Sequence, residues 1–157
     1  MTRYLATAIL LLAGATACSA AGTAERLAGF PRGHVMLVTA AQRCLLLDVW
    51  FATTEAQRSR GLMYVDELGE FEGMYFAYRE PALITMWMKN TVLSLDMLFV
   101  DADGRIARIA AATKPWSDDL IRSGGPVVGV LEVNARFAAT WGVAPGDRLE
   151  VLPLAGR

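Results

Sequence analysis

Short apolar runs, each closed by a Gly, Pro or Asp turn signal, constrain this chain more than any other feature. A run of that length suits a strand, whereas a core helix needs a longer apolar stripe at a period of 3.6 residues. The runs cover residues 35–39, 44–52, 73–78, 83–89, 95–100, 105–112, 127–133 and 148–152. Asp101-Ala102-Asp103-Gly104 supplies hairpin chemistry, because Asp bonds its own backbone and Gly tolerates positive φ. Ala144-Pro145-Gly146-Asp147 fits a type II turn. The polar stretch 113–126 reads as a loop, with Ser123-Gly124-Gly125-Pro126 its tightest turn. Two short helices are expected. Thr53 or Thr54 caps one over 55–63, and Asn134 caps another that runs through Trp141 and stops at Gly142. Strands mostly follow one another directly, which disfavours a doubly wound parallel sheet. The reading is a mainly β single domain, a β-sandwich or partly closed barrel with two short helices.

The N-terminus is a separate matter. Arg3, the apolar stretch from Leu5 to Ala13 and Ala15-Thr16-Ala17 have the build of a secretory signal over residues 1–21. Cys18 follows the small residues, as in a bacterial lipoprotein, although the usual Leu three positions earlier is missing. Residues 22–34, with Gly22, Gly29, Pro31 and Gly33, read as a tether, and 35–157 as the domain. The expectation is an exported protein, periplasmic or held in the cell envelope, with a membrane contact only through lipid on Cys18. Cys44 is then the sole other cysteine, so no disulfide framework exists, and it reads as a small buried apolar residue. Lys and Arg total 15 against 16 Asp and Glu, which gives no basic surface for nucleic acid.

The informative residues are charges inside apolar strands. Side chains alternate across a strand. Asp96 therefore goes with Leu98 and Val100, Glu132 with Val128 and Val130, Asp48 with Leu46 and Trp50, and Lys89 with Trp87 and Leu83. An unpaired ion in such surroundings is heavily penalised. These groups need partners, and Lys89 and Arg58 are the cations available to Asp96 and Glu132. One reading is structural ion pairing or strand ends that reach water. The sharper reading is a polar patch at the mouth of an apolar pocket, the usual form of a small-ligand site. No His cluster, CxxC, phosphate loop or G-x-S-x-G motif is present, so neither metal nor cofactor is expected. Five of the seven methionines lie between 63 and 97 and suit core filling better than Cu(I) binding. His34 is the only histidine.

Taken together, Met86-Trp87-Met88-Lys89-Asn90-Thr91, Leu95-Asp96 and Phe99-Val100-Asp101 resemble the signature of the domain of unknown function 192 family. Arg58-Ser59-Arg60-Gly61-Leu62-Met63, Gly73-Met74-Tyr75-Phe76, Leu131-Glu132-Val133-Asn134-Ala135 and Gly146-Asp147 agree in order. Met86, Ser94, Arg136 and Val65 depart from the Phe, Pro, Gly and basic residue common there. The resemblance implies a small, mostly β domain, often exported or membrane-tethered in bacteria. It implies no activity.

Three functions compete. The first is a module that binds a small polar or sugar-like ligand through Arg58, Met63, Trp87, Lys89, Asn90, Asp96 and Glu132, with Trp87 as an apolar platform. The second is an acid/base hydrolase of glycan-like substrates that works through Asp96 and Glu132. The third is a structural or partner-binding envelope protein whose charges serve packing alone.

Overall fold

The computed structural model describes residues 23 and 25–153. The expected signal segment 1–21 and Cys18 lie outside them. Seven strands form one sheet: β1 Arg32–Val38, β2 Cys44–Ala52, β3 Glu72–Met86, β4 Leu95–Val100, β5 Ile106–Ala110, β6 Ile121–Asn134 and β7 Arg148–Val151. The helices wholly within the described residues are α1 Glu55–Arg60 and α2 Phe137–Trp141. Strand order is β5-β4-β6-β3-β2-β1-β7. All neighbours are antiparallel except β2 and β3. A parallel pair requires a long crossover, and residues 53–71, which include α1, supply it.

The sheet curls until its edges meet at one end. Arg105 bridges to Arg148, the Ile106 N–H donates to the Asp147 carbonyl at 2.8 Å, and the Leu149 N–H donates to the Gly104 carbonyl at 2.7 Å. The result is a partly closed barrel, as the strand pattern predicts. Its inner face buries Val35, Leu37, Leu47, Leu98, Leu131 and Val133, with α2 as a plug. Its outer face buries Met74, Phe76, Met97, Phe99 and Val130 beneath the segment after α1, which contributes Leu62, Val65 and Leu68. β4 is therefore covered on both sides and buried at every position.

Four local expectations change. Within 22–34, read as a tether, residues 27–34 are built into the domain: Leu27 and Phe30 are buried in the outer core, and Arg32, Gly33 and His34 begin β1. The runs 73–78 and 83–89 are one strand, β3, because the register slips between Ala77 and Ala82 and accommodates Pro81, which has no N–H to give the ladder. β6 starts at Ile121, inside the expected loop; Ser123 is buried, accepts from the Ile84 N–H at 3.1 Å and donates to the Gly125 carbonyl at 2.7 Å. Cys44 is exposed rather than buried, because it stands at the outward-facing start of β2.

α1 forms where its cap predicts. Thr54 accepts from the Gln57 N–H, and the Gln57 side chain returns to the Thr54 N–H, a capping box. Gly61, at φ 48°, ends the helix.

Candidate functional site

A cavity of about 200 Å³ lies between the outer face of β3 and β6, the end of α1 and the turn that follows β3. Its lining includes Arg58, Met63, Tyr78, Trp87, Lys89 and Glu132. The register explains Glu132. It lies opposite Met74 on β3 and Met97 on β4, so it shares the outer face with the methionine-rich core. Burial alone pushes its carboxyl up to about 8, with no ionic partner to offset it. At neutral pH it is therefore mostly a neutral acid, able to donate an O–H into the cavity.

Arg58 comes from α1 and is held firmly. Its Nη1 donates to the Thr53 carbonyl at 2.7 Å and the Ala77 carbonyl at 3.1 Å, and its guanidinium lies 5.1 Å from the centre of the Tyr78 ring. Burial raises the Tyr78 hydroxyl, Arg58 opposes that rise, and Glu132 adds to it. Lys89 and Trp87 are exposed, with Trp87 at 46%. Arg60 also lines the cavity, but its guanidinium is committed to the Arg26 carbonyl and the Phe30 ring.

Of the seven residues expected from sequence, Arg58, Met63, Trp87, Lys89 and Glu132 line this one cavity. Asn90 stands beside it: its Nδ2 is 3.7 Å from the Met63 sulfur, and its carbonyl accepts from the Tyr64 N–H. Asp96 is elsewhere. It lies opposite Val133, one register step from the Met97–Glu132 pair, and so faces the barrel interior. There it is fully buried and accepts from the backbone N–H groups of Ala112 at 2.8 Å, Arg136 at 3.1 Å and Ala138 at 3.0 Å. The two last belong to the start of α2, so Asp96 caps that helix from a neighbouring strand. The expected cap, Asn134, instead donates to the carbonyls of Leu68 and Gly69.

The Asp96–Glu132 acid/base pair therefore does not form, because the sheet stands between the two carboxyls. Nor does either carboxyl pair with Arg58 or Lys89; the ion pairs among the described residues are Arg32–Glu72 and Arg148–Glu150, and the His34 Nδ1 lies 2.6 Å from the Asp48 carboxyl. Among the described residues no group of three or more His, Cys, Asp or Glu side chains could hold a metal ion. Sequence reasoning missed Tyr78 and Thr85 in the lining. Tyr78 was within reach, since Met74, Phe76 and Tyr78 alternate on one face of β3.

The family profile of domain of unknown function 192, described as an uncharacterized ACR, matches residues 36–151. The chain belongs to this family. No curated protein matches it. Similar solved structures include two crystal structures. One is a Sinorhizobium meliloti protein described as a candidate transcription regulator, 43% identical, with a TM-score of 0.76, covering 78% of this chain and 95% of its own. The other is a Novosphingobium aromaticivorans protein of unknown function, 36% identical, with a TM-score of 0.76, covering 78% of this chain and 87% of its own.

Proposed function

We propose that this member of the domain of unknown function 192 family is an exported binding module for a small polar or sugar-like molecule seated in the cavity between α1, β3 and β6. One observation carries the reading: a buried carboxyl, Glu132, without an ionic partner, lines an open cavity that also holds a fixed guanidinium and an exposed indole. Buried ionisable groups of this kind are ordinarily paired, and a ligand would supply the missing partner. A volume of about 200 Å³ is below the ~300–1,000 Å³ of drug-sized sites, so the occupant is a metabolite or a single sugar ring. Glu132 would donate to a hydroxyl or carbonyl oxygen, Arg58 and Lys89 would donate to a hydroxyl or anionic group, and Trp87 would cover an apolar face. The leader-like residues 1–21 support export. The formal charge of −1 favours a small molecule over DNA as the partner.

Calorimetry with a panel of monosaccharides and small organic acids tests the proposal. At least one compound should bind, and Glu132→Gln and Trp87→Ala should each weaken it about tenfold, the loss of roughly one good hydrogen bond or contact. Binding that ignores both substitutions would place the ligand elsewhere and end the proposal. Fractionation of cells that express the full chain tests export; retention in the cytoplasm would refute it.

A further inference from the structure

Three large aromatic residues stand in or next to the segments that line this cavity, and each side chain remains about half exposed: Trp87 at 46%, Tyr64 at 51% and Trp116 at 56%. Backbone hydrogen bonds gather them around one turn. The Tyr64 N–H donates to the Asn90 carbonyl at 2.9 Å, the Trp116 N–H to the Thr91 carbonyl at 3.1 Å and the Met88 N–H to the Ser117 carbonyl at 3.0 Å. Trp87 and Thr91 are themselves part of the cavity lining, as is Met63 next to Tyr64.

The backbone adds a second, independent observation. Tyr64 has φ 61° and Trp116 has φ 59°, left-handed values that a bulky residue adopts at a cost and that glycine would adopt freely. Strain of this kind persists where the surroundings enforce it and concentrates at binding sites. Here the cost is not repaid by burial, since about half of each side chain faces water. Both side chains therefore leave large apolar surface in water in segments that flank the cavity.

Their neighbours indicate what would cover that surface. The same segments carry Lys89, Asn90, Lys114 and the Ser117–Asp119 hydrogen-bonded pair, a mixed polar surface of both charge signs. An anionic lipid surface would call for clustered Lys and Arg. An apolar protein face would be poorly served by exposed Asp118 and Asp119. A sugar chain fits both components, because each ring unit offers a C–H face to an aromatic plane and a rim of hydroxyls to amides, carboxylates and ammonium groups.

We infer that the site continues out of the cavity over Trp87 to Trp116 and Tyr64 and takes a short oligosaccharide, one ring inside and the next ones along the aromatic rim. This inference rests on the small-ligand reading of the cavity and deepens it.

Calorimetry on the mature chain with chito-oligosaccharides and cello-oligosaccharides of one to six units provides the test. In at least one series the Kd should fall tenfold or more between one and four units and then level off. Trp116→Ala should return the tetramer to the Kd of the single ring, yet leave single-ring binding within twofold. Trp116→Gly should do the same while Tm stays level or rises, because glycine relieves the left-handed backbone; a protein in which Trp116 merely supports the fold would lose Tm instead. Single-ring binding with no gain from length would overturn the extended site alone. Equal weakening of ring and tetramer by Trp116→Ala would do so too. Absence of binding by single rings and chains alike would remove the carbohydrate reading of the cavity and this inference with it.

Discussion

Glu132→Gln should make this protein markedly more resistant to alkaline unfolding. In the folded chain burial carries the Glu132 carboxyl from 4.5 to about 8. Its folded pKa is therefore raised above the unfolded one, and the folded state holds a proton that the unfolded state has released throughout that interval. The stability this proton contributes is fully present below pH 4.5 and is lost as pH rises through about 8. Every tenfold gain in proton affinity corresponds to about 1.4 kcal/mol, so the whole interval amounts to roughly 5 kcal/mol. That is a large fraction of the ~5–15 kcal/mol that holds a domain together.

Glutamine has nearly the same shape and does not titrate, so the variant lacks this slope. Urea unfolding, followed by tryptophan fluorescence from pH 4.5 to 9, isolates the effect, because every other titrating group is common to both proteins. With a urea m-value of ~2 kcal/mol/M, the gap between the two midpoints should widen by about 2–2.5 M across the range, in favour of the variant at high pH. A gap that stays constant with pH would mean that Glu132 is not proton-bearing when folded. The cavity would then lack its neutral donor.

Other consequences follow from the same geometry. Affinity for a cavity ligand should fall above about pH 8 in the native protein and stay level in Glu132→Gln, as read by calorimetry at three pH values. Asp96→Ala leaves three backbone N–H groups without their acceptor and should cost at least ~3 kcal/mol in urea unfolding, whereas Asp96→Asn, which keeps one acceptor oxygen, should cost less. A Cβ on Gly129 would stand 2.1 Å from the Tyr75 hydroxyl oxygen, so Gly129→Ala should cost ~1–3 kcal/mol, and Tyr75→Leu in the same chain should recover part of the loss in a double-mutant cycle. Arg58→Lys gives up the planar guanidinium whose Nη1 reaches two carbonyls and which lies against the Tyr78 ring, and should lower stability by about 1 kcal/mol as well as weaken ligand binding.

What the amino-acid sequence disclosed, and what it withheld, divides along the range of the interactions involved. β2 and β4 occupy the predicted residues, because a nine-residue apolar run and the six-residue run LDMLFV are ended by local chemistry. The Thr54 cap and the Asp101 turn are likewise local; Asp101 accepts from the N–H groups of Asp103 and Arg105. The parallel β2–β3 pair was not legible, since it depends on where the crossover lands its strand. β3 and β6 exceed their expected lengths because they pair with each other past Pro81 and Gly124-Gly125, and periodicity does not register a partner. The tether looked loose because Leu27 and Phe30 are isolated in sequence and find their core only in three dimensions.

The two carboxyls illustrate the same limit at the site. Asp96 and Glu132 look alike in sequence, a lone acid in an apolar strand, yet one register step sends them to opposite faces of the sheet. On the inner face Asp96 accepts from the N–H groups of Arg136 and Ala138 at the start of α2 and from that of Ala112. On the outer face Glu132 stands opposite Met74 and Met97 and lines a cavity with Tyr78, with no ionic partner. The first acid is consumed by the fold, which is why its loss should be felt as stability. The second is left to whatever enters the cavity, and its substitution by glutamine should strengthen the fold at alkaline pH while it weakens binding. Opposite signs on those two measurements are the mark of a group kept for recognition at the expense of stability; the same sign on both would assign Glu132 to the core.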